Sequence, residues 1–251
     1  MSRWHALMGS TAALAALASL FAWVSHFDPS APDAMMVPEP AVVASDCVSI
    51  ARSRGKPLWR VQCREIKVTP TEADLSAGIS RIEMRGIRNG SVNYDGGRAL
   101  GLRAEAATYD AGAGRLELHG PVTLRTARRE RLHAPSCIWT RQTDSLEFRQ
   151  GATVRSDDGE ARAPVAVYSI PERRLDCPNG ARFRSRDSDM DAAVLYWDLN
   201  AKRLDLPGPV SGRRGDWRFT ARAASLNVSD NTLTANDGTL EARISTEDPD
   251  Q

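Results

Sequence analysis

The chain has few of the residues that build metal and redox centres. Four cysteines and four histidines occur among 251 residues, and no two cysteines stand in C-x-x-C spacing. Structural zinc sites group their ligands at short spacings, so no metal site is predicted. Neither a G-x-S-x-G nucleophile motif nor a G-x-x-x-x-G-K-[ST] phosphate loop is present. We therefore predict a protein that is not an enzyme and has no cofactor.

Excess charge of either sign is also absent. The net charge is +1, with 33 basic and 32 acidic residues. Such a balance provides no general attraction to a polyanion, so no nucleic-acid partner is predicted. Of the 33 basic residues 30 are arginine. Coding bias in a GC-rich genome explains this use, while the alternative is that some guanidinium groups bind phosphates.

The chain has one long apolar run, Ala6–Phe27, whose 22 residues include no Asp, Glu, Lys or Arg. As a helix it would span about 33 Å, enough to cross a bilayer. Arg3 precedes the run and acidic residues follow it. This asymmetry places the N-terminus in the cytoplasm and the body of the chain outside. The alternative is a signal peptide that is cleaved at Ala16-Leu17-Ala18.

The predicted membrane helix (residues 1–27 with its flank) is rich in small residues. Pairs of small residues four apart let a second membrane helix approach closely, and the candidate packing residues are Gly9, Ala12, Ala13, Ala16 and Ser19. A lone, alanine-rich anchor is the alternative. Residues 28–44 form a linker in which four prolines, at positions 29, 32, 38 and 40, favour an extended spacer.

A repeat organises the rest of the chain. An alanine is followed five residues later by a large residue, and seven later again by a leucine. The alanines of successive copies lie 30, 29, 29 and 29 residues apart. The five copies are Ala104/Tyr109/Leu116, Ala134/Trp139/Leu146, Ala163/Tyr168/Leu175, Ala192/Trp197/Leu204 and Ala221/Leu226/Leu233. A period of this length indicates stacked supersecondary units.

Each copy reads as a pair of strands joined by a turn. Apolar and polar residues alternate, as in Leu116, Leu118, Val122 and Leu124, which predicts strands with one apolar face. A glycine follows each leucine by four or five residues, which indicates a bulge or bend. We predict an all-β fold, an elongated two-walled stack of antiparallel strand pairs over residues 45–244, and a disordered tail over 245–251.

The inner faces of the two walls are predicted to line an apolar groove. The inward-facing candidates are Leu102, Leu116, Leu118, Val122, Ile138, Leu146, Phe148, Val154, Val165, Val167, Leu175, Phe183, Leu204, Leu206 and Val210. A closed core needs the same side chains, so the sequence leaves open whether the groove is empty. By the same alternation Cys137 is predicted to face outward and Cys177 inward.

Two cysteines near the start of the β region are predicted to face each other. If the turn centres on Gly55, Cys47 and Cys63 lie opposite on neighbouring strands, within disulfide range. Two reduced thiols are the alternative. Cys63, Val68 and Leu75 fit the repeat spacing as a degenerate sixth copy, which an insertion around Ile79–Gly90 separates from the next.

The repeat, A-x4-[YW]-x6-L-x-[LF]-x2–3-G, resembles the OstA-like repeat of bacterial lipopolysaccharide transport proteins. The layout of one membrane helix, a short linker and the β region, together with GKPLWRVQC at Gly55–Cys63, is most similar to LptC-like proteins. The resemblance covers about residues 1–244. It implies an open periplasmic β-jellyroll held at the cell inner membrane by a single-pass anchor.

The resemblance also implies a function. LptC-like proteins accept lipopolysaccharide from an inner-membrane ABC exporter, against which the anchor helix packs. They pass the lipid to a soluble periplasmic bridge protein of the same fold by edge-to-edge strand addition. Two alternatives remain open. The chain could be the soluble bridge protein itself, or a structural or adhesive β-repeat protein without lipid cargo.

Overall fold

The computed structural model describes residues 42–53, 56–70, 79–94 and 98–242. The chain divides into two units, residues 1–39 and 40–251, and every described residue belongs to the second. The predicted anchor, most of the linker and the tail therefore lie outside the described residues. Within the described ranges, no helix is long and apolar enough to cross a bilayer.

Seventeen antiparallel strands make up the described β region, and no helix lies among the described residues. This confirms the prediction of an all-β fold. The strands are β1 Val42–Ser53, β2 Lys56–Pro70, β3 Ile79–Tyr94, β4 Arg98–Asp110, β5 Arg115–Arg125, β6 Arg131–Thr140, β7 Ser145–Phe148, β8 Ala152–Ser156, β9 Gly159–Ala163, β10 Ala166–Ser169, β11 Arg174–Cys177, β12 Ala181–Arg184, β13 Ser188–Ala192, β14 Leu195–Asp198, β15 Arg203–Arg214, β16 Trp217–Asn227 and β17 Thr232–Ala242.

The short strands separate into two walls. Wall A contains β7, β10, β11 and β14, which pair in that order between β6 and β15. Wall B contains β8, β9, β12 and β13, which pair in that order between the same two long strands. Because β6 and β15 contribute to both walls, the two walls are parts of one bent sheet.

The chain crosses from one wall to the other along a line that we call the corner. Gly120, Gly151, Gly180 and Gly208 lie on this line, each with a positive φ between 81° and 101°. Such backbone suits glycine, which confirms the predicted bends at these four positions. Gly238, the fifth predicted bend, lies in β17 opposite Ala221 without such a φ, and the neighbouring Asp237 has a φ of 51° instead.

Backbone hydrogen bonds run along the corner. The Gly151 amide donates to the Pro164 carbonyl at 2.7 Å, and the Gly180 amide donates to the Ala193 carbonyl at 2.7 Å. The Ala193 amide donates in turn to the Pro209 carbonyl at 3.0 Å. Strand pairing therefore continues along the corner, where the chain itself connects the two walls.

The repeat forms a continuous row of side chains that runs from β4 through wall A to β17. Opposed residues in successive strands alternate between an aromatic ring and a leucine up to Leu204, after which the row continues with leucine. The row is Tyr109, Leu116, Trp139, Leu146, Tyr168, Leu175, Trp197, Leu204, Leu226 and Leu233. The two large positions of each sequence copy therefore occupy neighbouring strands in one wall.

The sheet extends further toward the N-terminus than predicted. β1 begins at Val42, before the predicted domain start at residue 45. The segment around Ile79–Gly90 is part of β3, which pairs along its length with β2 and β4. It is thus a full strand and not an insertion outside the repeat.

Candidate functional site

The inner faces of the two walls form one apolar interior. Of the predicted groove residues, twelve lie in it, each at most 3% exposed. They are Leu102, Leu116, Leu118, Val122, Leu146, Phe148, Val154, Leu175, Phe183, Leu204, Leu206 and Val210. The structure thus brings these side chains together, packed against one another.

Three predicted groove residues point the other way. Ile138, Val165 and Val167 are half-buried on the outer face of the sheet, and Trp139, Ala166 and Tyr168 take the inner positions. Cys137 was predicted to face outward, but its side chain lies in the interior.

The corner explains all four errors. Where a strand passes a corner glycine, buried residues are four apart, as in Leu118 and Val122, so the alternation is preserved. Where it passes the corner after a repeat alanine, they are three apart, as in Ala134 and Cys137 or Ala163 and Ala166. The odd step moves every following residue to the opposite face.

Aromatic rings bridge the interior from wall to wall. Phe183 of wall B and Trp197 of wall A meet edge to face with centroids 5.3 Å apart, at an interplanar angle of 82°. Trp59 and Tyr109 make a similar contact at 5.8 Å. Sequence reasoning treated the large repeat residues only as markers of the period, although their size made them candidates for the interior.

Three buried indole groups add donors to this apolar space. Within the described residues, the Nε1 atoms of Trp59, Trp139 and Trp197 are buried without a hydrogen-bond acceptor. A buried N–H group without an acceptor costs free energy, which an acceptor entering the interior would offset.

The side of the stack opposite the corner is built from turns. We call the line between the turns of wall A and those of wall B the seam, and we count the turn between β5 and β6, which holds Glu130, with wall B. The Arg173 Nε in wall A donates to Glu130 Oε1 in wall B at 3.0 Å, and the Lys202 ammonium lies 3.1 Å from Asp158 Oδ1. At the next repeat, the Asn231 amide donates to Asp187 Oδ2 at 3.4 Å. One side-chain pair therefore crosses the seam in each of three successive repeats.

The three wall-A members of these pairs share a backbone conformation. Arg173, Lys202 and Asn231 have φ values of 53°, 54° and 56°, and stand at equivalent positions of successive turns. Left-handed backbone at a non-glycine residue requires support from its surroundings. The Arg173 carbonyl, for example, accepts from the Leu199 amide of the next turn at 3.0 Å.

The cross-seam pairs become more exposed toward the C-terminus. Glu130 is 1% and Arg173 15% exposed, whereas Asp158 is 19% and Lys202 49% exposed. Glu130 also accepts from the Thr126 hydroxyl, and Arg173 Nη1 donates to Asn200 Oδ1 at 2.7 Å. The Glu130–Arg173 pair is therefore the most strongly fixed of the three.

The C-terminal end of the interior opens to solvent. A pocket of about 500 Å³ lies there, lined by Trp217, Phe219, Leu233 and Leu240 together with polar seam residues. Trp217 is 49% and Leu240 63% exposed. At the opposite end, β1 exposes Val42, Val43, Val48 and Ile50.

Cys47 and Cys63 lie directly opposite in β1 and β2, as predicted, with their Sγ atoms 3.6 Å apart. Burial, together with the neighbouring Cys47, raises the pKa of the Cys63 thiol to about 12. Burial also raises the pKa of Cys177 to about 12. Both thiols are therefore protonated at neutral pH, which makes them weak nucleophiles.

Comparisons of the sequence with known proteins identify no family for the chain. No protein-family model matches the sequence, and no curated protein matches it significantly. Among solved structures, one similar chain is that of LptH, the LptA homologous periplasmic component of the conserved lipopolysaccharide transport device from Pseudomonas aeruginosa. The two are 8% identical over 58% of this chain and 95% of that one, with a TM-score of 0.28. A likeness this weak supports no statement about function.

Proposed function

We propose that the chain is a membrane-anchored periplasmic component of a lipopolysaccharide export machinery. One observation carries the proposal: an OstA-like 29-residue repeat folds into a two-walled stack whose inner faces form one apolar interior. The role is that of a non-enzymatic conduit. Its interior takes up acyl chains, and its surface leaves the charged part of the lipid in water.

The two ends of the stack support the partners that we propose. Among the described strands, β1 pairs only with β2 and β17 only with β16, so each has a free backbone edge. Free edges accept a further strand from another protein. The inner-membrane ABC exporter docks at the anchor helix and the β1 edge, and the soluble periplasmic bridge protein docks at the β17 edge. ATP hydrolysis takes place in the exporter.

Site-specific photo-crosslinking tests the conduit. A photoreactive residue in place of Leu118 or Phe148, both about 1% exposed in the interior, is expected to form adducts with lipopolysaccharide in cells. The same residue in place of Thr123, on the outer face of β5, is the control. Absence of adducts at both interior positions, with the protein folded and membrane-bound, contradicts the proposal.

A second candidate is a structural or adhesive β-repeat protein. The close packing of the interior favours it, because side chains at most 3% exposed leave no empty groove. The crosslinking experiment separates the two candidates, since a permanently closed core forms no lipid adducts. The third candidate, a soluble bridge protein, requires cleavage after residue 18, which the mass of the mature N-terminus detects.

A further inference from the structure

We propose that Arg173 and Lys202 bind the phosphate groups of the lipid, and that exchanging their carboxylate partners for phosphate opens the seam. The inference rests on the proposed function and names residues of that site. It assigns two roles to the same side chains: in the closed state they hold the walls together, and in the loaded state they hold the phosphorylated part of the cargo.

The seam is the side of the stack that can open. At the corner the chain itself connects the two walls, and backbone hydrogen bonds such as Gly151–Pro164 and Gly180–Ala193 tie successive crossings together. At the seam, the contacts that cross between the walls are chiefly between side chains. Separating the walls there leaves every strand pair intact, whereas separation at the corner breaks the sheet.

The chemistry of the pairs divides by wall. The carboxylates Glu130, Asp158 and Asp187 lie in wall B, and the cations Arg173 and Lys202 lie in wall A. A phosphate monoester offers each cation the same kind of charge-assisted bond, with more acceptor oxygens than a carboxylate. Arginine suits bidentate binding of phosphate, and lysine binds it as a point charge.

Asp158 keeps positive groups around it after the exchange. It shares a pocket of about 540 Å³ with Arg155, Arg184 and Arg186, the first two of which also pair with other carboxylates of wall B. An Asp158 carboxylate that loses Lys202 therefore remains in a pocket lined by guanidinium groups. The exposure gradient indicates the order of opening: Asp158–Lys202 yields before the buried Glu130–Arg173 pair.

The test neutralises Asp158 and Lys202 one at a time, and the two variants are expected to change lipopolysaccharide affinity in opposite directions. Binding of lipopolysaccharide and of its chemically dephosphorylated form is measured with the full-length chain in nanodiscs. Asp158→Asn removes the carboxylate that competes with phosphate for Lys202. It is expected to strengthen lipopolysaccharide binding roughly three- to five-fold. Lys202→Gln removes the ammonium group that binds the phosphate and is expected to weaken lipopolysaccharide binding by a similar factor.

The dephosphorylated lipid and a matched pair of variants provide the controls. Because it lacks the phosphate, the dephosphorylated lipid is expected to bind equally well or better to both seam variants. Asp205→Asn and Arg203→Gln alter an ion pair of the same type on the outer face of wall A and are expected to change neither affinity. Excess inorganic phosphate that competes only with the phosphorylated lipid locates the contact at a phosphate group.

The outcomes separate this inference from the conduit function. If Asp158→Asn and Lys202→Gln shift lipopolysaccharide binding in the same direction, or match the outer-face controls, the phosphate exchange is wrong while the conduit stands. If the wild-type chain binds neither lipid, the conduit itself is wrong. Inorganic phosphate that opens the seam without lipid at the same concentration as lipopolysaccharide, seen as faster deuterium exchange at residues 199–202, assigns the site to free phosphate instead and overturns the proposal.

Discussion

Phe183 in wall B meets Trp197 in wall A edge to face, with ring centroids 5.3 Å apart. Both rings are fully buried, and each belongs to a different wall of the bent sheet. The contact therefore fixes the distance between the walls in the C-terminal half of the stack. Edge-to-face pairs add to the free energy that burial of the rings already contributes.

Truncation of this pair is expected to destabilise the fold strongly. Trp197→Ala removes a fully buried ring and should lower the free energy of unfolding by about 3–5 kcal/mol. Tyr196→Ala is the matched control, since the neighbouring ring lies on the outer face against the Arg174 guanidinium. Urea unfolding followed by circular dichroism measures both. Equal losses for the two variants contradict the packed interior.

Oxidation is expected to link Cys47 and Cys63. The two sulfurs face each other at 3.6 Å, and a disulfide closing a loop of this length contributes about 3 kcal/mol. Protein isolated from an oxidising compartment should show two free thiols in denaturant, and reductant should lower its melting temperature. Cys47→Ser should lose this response to reductant, and Cys137→Ala should keep it. Four free thiols under oxidising conditions contradict the prediction.

The corner glycines offer a comparison between backbone strain and steric clash. A Cβ at Gly120 would lie 2.4 Å from the Cβ of Glu105, whereas one at Gly151 would meet nothing within 4 Å. Both residues have positive φ, which costs an alanine about 1–2 kcal/mol. Gly120→Ala should therefore destabilise the fold clearly more than Gly151→Ala in thermal unfolding. Equal losses of stability in the two variants would contradict the prediction and would assign the whole loss to the backbone conformation.

Acid stability should depend on Asp189 at the outer face of wall B. Hydrogen bonds from Arg182 and Arg184 lower the pKa of its carboxyl from 3.8 to about 2. A lowered pKa in the folded state stabilises above the unfolded pKa, and this contribution disappears as the pH falls from about 4 to 2. The melting temperatures of wild type and Asp189→Asn should therefore differ at pH 6 and converge near pH 2. A difference between the two proteins that is as large at pH 2 as at pH 6 contradicts the prediction.

Much of the β region could be predicted because its determinants are local. Alternation in a strand such as β5 and the spacing of the repeat reveal strands and period without knowledge of distant contacts. The direction of Ile138, Val165 and Val167 was predicted wrongly because one residue at the corner reverses the alternation. No local signal distinguishes an even step from an odd one before the paired strand is known.

The cross-seam pairs were beyond sequence reasoning for a different reason. Arg173 and Glu130 are 43 residues apart, and Lys202 and Asp158 are 44 apart. Their meeting depends on the folding of the sheet back on itself and on the left-handed backbone of two wall-A residues. Surface charges in turns are common, so neither side chain stood out in the sequence.

The row of alternating rings and leucines across wall A makes the length of the protein adjustable. Removing the 29 residues from Ala134 to Arg162 would bring Ala163, Tyr168 and Leu175 to the places of Ala134, Trp139 and Leu146. Each strand would still pair with a strand that places a ring or a leucine in the row, because every unit presents the same two large positions. The distance between the two free edges can thus evolve in steps of one repeat, without redesign of the interior.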